Sequence, residues 1–205
     1  KENGIDDETA KYSADNDLCI EMETGTGKTL VYIKTIYELH KHYAFTKFII
    51  LVPSIAIRQG TLGTFKTFEK QLESIYGFKV QAFDYDSKKL NKVTNFIEEQ
   101  HPQVMIMTTG AFSSDDRILN RTQREDLFNN LPYIDAIAKV RPFIFMDEPQ
   151  EGMDSDNMME RLKTLSAEER KERYSTKENE REKTIFKTLD PLFKIRYSAT
   201  HKTVK

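Results

Sequence analysis

The sequence predicts an α/β domain with a mostly parallel central sheet flanked by helices. Short apolar runs of strand length alternate along the chain with segments whose apolar residues recur at helical spacing. The first apolar run leads directly into a glycine-rich turn and then a helix-like segment, so strand, loop and helix follow one another. In such sheets ligands gather at the carboxyl ends of the strands.

Each element has its own local reason. Residues 17–22 contain Leu18, Cys19, Ile20 and Met22 and predict a short buried strand. After Thr29, Leu30, Ile33, Ile36 and Tyr37 fall at helical spacing. "KFIILVPS", 47–54, reads as a buried strand. In 64–77, Phe65, Phe68, Leu72 and Ile75 share a helical face, and Gly77 is placed to stop the helix. "KVQAFDY" predicts a strand, and 88–100 a helix with Leu90, Val93 and Ile97 on one face. "QVMIMTT" is a further buried strand, "LPYIDAIAKV" a helix, "PFIFMDE" a strand and "KIRYSAT" the last strand. No internal repeat is visible.

Composition narrows the function. At 205 residues the chain is long enough for one ordinary domain, which buries ~70% of the surface that the unfolded chain exposes. Its net charge of −2, from 31 basic and 33 acidic residues, makes no global basic field. Any contact with DNA must therefore be local. Cys19 is the single cysteine, which rules out a disulfide framework and predicts a reducing compartment. No apolar run approaches the ~20 residues of a membrane span, and no signal peptide is visible. The chain starts at Lys1 rather than Met, which predicts a piece of a longer protein.

The loop carries the clearest chemistry. Gly25-Thr26-Gly27-Lys28-Thr29 matches the end of the phosphate-cradling pattern G-x-x-x-x-G-K-[ST], with Met22 where the first glycine would stand. Glycines let the backbone turn its N–H groups toward phosphate oxygens. Lys28 would set a compact positive charge against the outer phosphates, and Thr29 would offer a hydroxyl to Mg²⁺. The start of the following helix adds its positive end.

Further along, "FIFMDEPQ" ends an apolar strand in two adjacent acids. Asp147 suits a magnesium shell and Glu148 suits a general base that polarises the attacking water. "RYSATH", 196–201, places small hydroxyl residues at a strand end, where they can sense a phosphate or link two states through hydrogen bonds. His201 reads as an exposed turn residue. Segment 160–183 is dominated by mixed charges and reads as a solvated helix or loop.

Taken in order and at these separations, G-T-G-K-T, D-E and S-A-T resemble the first motor lobe of superfamily 2 helicases and translocases. "EMETGTGKT", "VPSIAIRQG", "MDEPQ" and "RYSATH" together resemble the ATP-dependent restriction subunit of bacterial type III restriction–modification enzymes. The D-E-P-Q form and the His after S-A-T are the distinctive parts, and the resemblance spans 21–202.

The resemblance implies a RecA-like P-loop NTPase fold as one lobe over 1–205, with 160–183 as an insertion. It implies ATP and Mg²⁺ as cofactors. Thr24, Gly25, Thr26, Gly27, Lys28 and Thr29 would hold the nucleotide, and Thr29 and Asp147 the metal. Lys28, Asp147 and Glu148 would be catalytic. Ser198 and Thr200 would couple ATP state to the DNA track, on a strand lying between the strands of the loop and of the acids. Ser54, Arg58 and Thr109, beside Pro53 and Thr108, would touch DNA phosphates, contacts that carry no sequence information; read without the resemblance, Ser54 is a helix cap and Arg58 a solvated arginine.

The implied partners are double-stranded DNA, a second motor lobe and a nuclease domain of the same protein, and a methyltransferase subunit, in the bacterial cytoplasm. The second lobe would supply an arginine worth ~10³–10⁵ in rate, so the lobe alone is expected to turn ATP over poorly. Competing readings are another superfamily 2 enzyme, such as a type I restriction subunit or a repair helicase, a small P-loop kinase, and a non-hydrolysing nucleic-acid clamp.

Overall fold

The computed structural model describes residues 16–23, 25–112, 133–148 and 189–198. The strands are β1 (Asp17–Glu21), β2 (Lys47–Val52), β3 (Gln81–Asp84), β4 (Gln103–Thr108), β5 (Phe143–Asp147) and β6 (Phe193–Ser198). The helices are α1 (Lys28–Tyr43), α2 (Ile55–Tyr76), α3 (Asn91–Glu98) and α4 (Tyr133–Lys139), with a 3-10 turn at Thr109–Phe112. The strands form one sheet in the order β1-β6-β5-β2-β4-β3, and every neighbouring pair is parallel. The predicted α/β class with a parallel sheet is borne out.

Strand burial follows from residue type. All of β2, from Lys47 to Val52, is buried, as expected of a strand covered on both faces. Its side chains alternate between the faces. Phe48, Ile50 and Val52 pack with Tyr32, Ile33, Ile36 and Tyr37 of α1 and Phe65 and Leu72 of α2. Ile49 and Leu51 pack on the other face with Val93 and Phe96 of α3 and Ile134 and Ile137 of α4. Each large apolar side chain so buried contributes about 1.5–3 kcal/mol. The sheet therefore has a core on each side, and both cores hold its central strands in place.

Helix ends follow local chemistry. Ser54 caps α2 from an extended conformation, its Oγ accepting from the Ile57 N–H at 3.3 Å. Gly77 ends that helix at φ 80, where its N–H donates to the Glu73 carbonyl. A side chain at that φ would be strained, which is why glycine stands there. None of the described helices is long and apolar enough to cross a membrane.

Several expectations are corrected. β1 is no buried strand: Leu18 and Cys19 are exposed, because among the described residues β1 pairs only with β6, at the sheet edge. Leu30 lies off the buried face of α1, and Tyr32 takes its place there. The helix predicted over 64–77 begins earlier, at Ile55, and Ile75 near its end is exposed. In α3 the buried residues are Val93 and Phe96, while Leu90 and Ile97 are only partly buried. Thr24, Ala199, Thr200 and His201, and the charged segment 160–183, lie outside the described residues.

Candidate nucleotide site

The strand order puts three chemical elements side by side. β6 lies between β1 and β5, as the resemblance implied, with Glu21 opposite Ser198 and Tyr197 opposite Asp147. The ladder continues past the strand ends, where the Met22 N–H donates to the Ser198 carbonyl and the Glu148 N–H to the Tyr197 carbonyl, each at 2.9 Å. The carboxyl ends of the three strands are thereby level. The loop after β1 returns the chain into α1, whose first residue is Lys28.

Three side chains meet there. Lys28 Nζ makes an ion pair with Glu148 Oε1, and both side chains are only 10% exposed. Ser198, itself buried, donates from Oγ to Glu148 Oε2 at 3.3 Å. Asp147 is buried beside them at the end of β5. Glu148 leaves the strand in the left-handed region at φ 45. For a non-glycine residue that costs of order 1–3 kcal/mol. The ion pair and the Ser198 bond hold it there.

Tyr32 belongs to the same group and was missed by helical spacing alone. It is fully buried, and its hydroxyl lies 3.1 Å from Thr61 Oγ1 on α2. Burial first, and then the negative charge of Asp147, push its pKa up to about 12, against the hydrogen bond with Thr61 that pulls it down. The signal was present in the spacing: Tyr32 stands one helical turn after both Lys28 and Thr29.

The residues fit a magnesium-bound triphosphate. Gly25 and Gly27 adopt φ 82 and φ 89, and a Cβ built on either meets nothing within 4 Å, so the loop backbone faces open space. Gly27 caps α1 with no side-chain hydrogen bond; the Leu30 and Val31 N–H groups donate to the Gly27 carbonyl, so the N–H groups of Lys28 and Thr29 are the ones that could meet an outside acceptor. Thr26 is an exception, because its N–H and its hydroxyl both donate back to the Glu23 carbonyl. Among the described residues no group of His, Cys, Asp and Glu could hold a metal on its own. By the resemblance, Thr29 and Asp147 would hold Mg²⁺ together with phosphate oxygens.

The residues expected on a DNA track form a second flank at the same sheet edge. Ser54 follows β2 and Thr109 follows β4, on adjacent strands. Arg58, in the first turns of α2, donates from Nη1 to the Tyr85 carbonyl at 2.9 Å and is half-buried. It is thus no freely solvated arginine.

The family model described as "Type III restriction enzyme, res subunit" matches residues 3–203. The EcoPI Res subunit of a type III restriction–modification enzyme from Escherichia phage P1 is 29% identical over 187 residues, 81% of this chain and 19% of that protein. The EcoP15I Res subunit from Escherichia coli is 28% identical over 186 residues, again 81% of this chain and 19% of that protein. The chain thus spans about a fifth of the length of these curated relatives. A nuclease-deletion mutant of the Type ISP restriction–modification enzyme LlaGI, solved with a DNA substrate mimic, aligns with 93% of this chain and 16% of its own at 15% identity, with a TM-score of 0.47. The match over almost the whole chain establishes that this protein belongs to the type III restriction enzyme res subunit family.

Proposed function

We propose that the chain is the ATP-binding motor lobe of a DNA-dependent ATPase within a type III restriction–modification endonuclease. One observation carries this reading: Lys28, Glu148 and Ser198 meet at the carboxyl ends of adjacent parallel strands, at the uncapped start of α1. In the Lys28–Glu148 pair two buried charges satisfy each other. Lys28 would hold the outer phosphates of a bound triphosphate, which would leave the Glu148 carboxylate available. Glu148 then serves as general base toward the attacking water. Thr29 and Asp147 would hold Mg²⁺, which would neutralise charge on the phosphates.

The rest of the reading follows the family. Ser198 and Thr200 couple the nucleotide state to DNA. Ser54, Arg58 and Thr109 contact double-stranded DNA through its phosphates, with binding that weakens steeply with salt. A second motor lobe, a nuclease domain and a methyltransferase subunit complete the working enzyme, in the bacterial cytoplasm. The second lobe supplies the arginine that fast turnover needs.

The test is a titration of a fluorescent ATP analogue with Mg²⁺. Wild type binds it, and Lys28→Ala weakens binding about tenfold or more, ~1.4 kcal/mol. Glu148→Gln keeps binding but, in the full-length protein, abolishes DNA-stimulated hydrolysis. Equal binding by wild type and Lys28→Ala would remove the basis of the proposal.

A further inference from the structure

The carboxyl edge of the sheet continues beyond Ser54 and Thr109. β3 is the far edge strand, beside β4. Asp84 pairs with Ile106 and Thr108 with Val52, and the Tyr85 N–H donates to the Ile106 carbonyl at 2.9 Å. Continuing that register brings Asp86 level with Thr108 and Val52. The chain leaving β3 therefore emerges in line with Ser54 after β2 and Thr109 after β4.

That exit is a built turn. The Lys89 N–H donates to the Asp86 carbonyl and the Lys88 N–H to Asp86 Oδ1, both at 2.9 Å. Arg58 Nη1 donates to the carbonyl of the buried Tyr85, which ties the turn to the start of α2. Asp84 is engaged as well: it accepts from Gln59 Nε2 at 3.5 Å and lies 3.8 Å from Lys92 Nζ. Lys88 and Lys89 stand exposed at the tip. Among the described residues Lys88 makes no ion pair, and Lys89 Nζ lies 3.8 Å from Asp86 Oδ2. An exposed pair of that length holds a lysine only weakly. Arg58, Lys88, Lys89 and Lys92 against Asp84 and Asp86 leave this corner positive, in a chain whose net charge is −2.

We infer that the turn after β3 is a third station of the DNA track, where Lys88 and Lys89 contact backbone phosphates of double-stranded DNA alongside Ser54 and Thr109. The inference rests on the DNA reading above and adds a segment to it. Phosphate is the fitting partner, because an ammonium group meets it as a point charge and gains by releasing counterions. Such contacts fix the position of the duplex and read no sequence. They also supply locally the positive charge that the chain as a whole lacks.

Binding of the full-length protein to a labelled duplex of arbitrary sequence, followed by fluorescence anisotropy across a salt series, tests this. The logarithm of the binding constant falls linearly with the logarithm of salt concentration, by about 0.9 per phosphate contact. The double variant Lys88→Ala, Lys89→Ala should therefore lower that slope by about 1.8. Lys88→Arg with Lys89→Arg keeps both charges and should keep the wild-type slope. Lys66→Ala with Lys70→Ala removes the same charge from exposed positions of α2, roughly 18 Å and more along the helix from Ser54, and should leave the slope unchanged. An unchanged slope in the Lys88, Lys89 alanine variant overturns the third station and leaves the rest of the track standing. An equal fall in the Lys66, Lys70 variant shows a response to net charge alone and overturns it too. A wild-type protein that binds no duplex, or binds it without salt dependence, overturns both this inference and the DNA part of the proposed function.

Discussion

Lys47 shows how far a single side chain can depart from its usual setting. It opens β2, yet it is only 8% exposed. Its amine donates to the Glu99 carbonyl and stands 5.4 Å from the centre of the Phe96 ring. Burial lowers its pKa from 10.5 to about 8, partly opposed by the charge of Glu99. The folded protein therefore gives up this proton at lower pH than the unfolded chain does. Between those two values the unfolded chain binds more protons, so the Lys47 contribution to stability rises with pH there and is least favourable below about 8. Relative to Lys47→Met, wild type should gain roughly 2–3 kcal/mol between neutral pH and the upper end of that window. Urea unfolding of both proteins at the two pH values measures it, and a gap that does not change with pH would refute the assignment. No pattern in "KFIILVPS" foretold a buried lysine. Its burial comes from the neighbouring strand and helix α3, which are distant in sequence.

At the scale of elements, α2 is the informative case. Phe65, Leu72 and Gly77 were legible as core face and stop signal, because helical spacing and a glycine at positive φ are local properties. Its start was set too late, at 64, although Ser54 stood as a candidate cap, because the resemblance drew Ser54 and Arg58 toward a DNA track. Ser54 also caps the helix, so Ser54→Ala should lower stability by about 1 kcal/mol even with no DNA present. Gly77→Ala should cost about as much, through backbone strain alone, because a Cβ there meets nothing within 4 Å. Both losses appear as shifted urea midpoints with unchanged slopes. A Ser54→Ala protein as stable as wild type would deny the cap its role. Loss of DNA affinity in that variant has to be judged against its stability, which makes the charge of Arg58 the cleaner probe of the track.

For the whole molecule, stability lies in the middle of the sheet. Phe145 of β5 is fully buried between Phe48, Tyr32 and Tyr197. Phe145→Ala should cost about 3–5 kcal/mol. Leu18 of β1 is 41% exposed, and Leu18→Ala should stay within about 0.5 kcal/mol. Thermal unfolding of the two variants checks the contrast, and equal losses would mean that β1 is buried after all. The same gradient bears on the candidate site. Asp147 and Ser198 end well-packed strands, whereas the loop from Gly25 to Gly27 hangs from the exposed one. The acids therefore end the packed part of the sheet, and the glycine loop leaves from its exposed edge.

The sequence by itself determined the local chemistry: which runs are strands, that Gly25 and Gly27 sit where positive φ is needed, that Lys28 opens a helix, and that two acids end an apolar strand. These depend on residue type and on spacing within a few positions. The tertiary structure alone decided that β6 lies between β1 and β5, that Lys28 pairs with Glu148 under Ser198, that Leu18 and Ile75 face outward, and that Tyr32 and Thr61 share a hydrogen bond across two helices. Strand order and helix facing arise from contacts between segments far apart in the chain, where the fit of whole surfaces, and no local pattern, selects the partner.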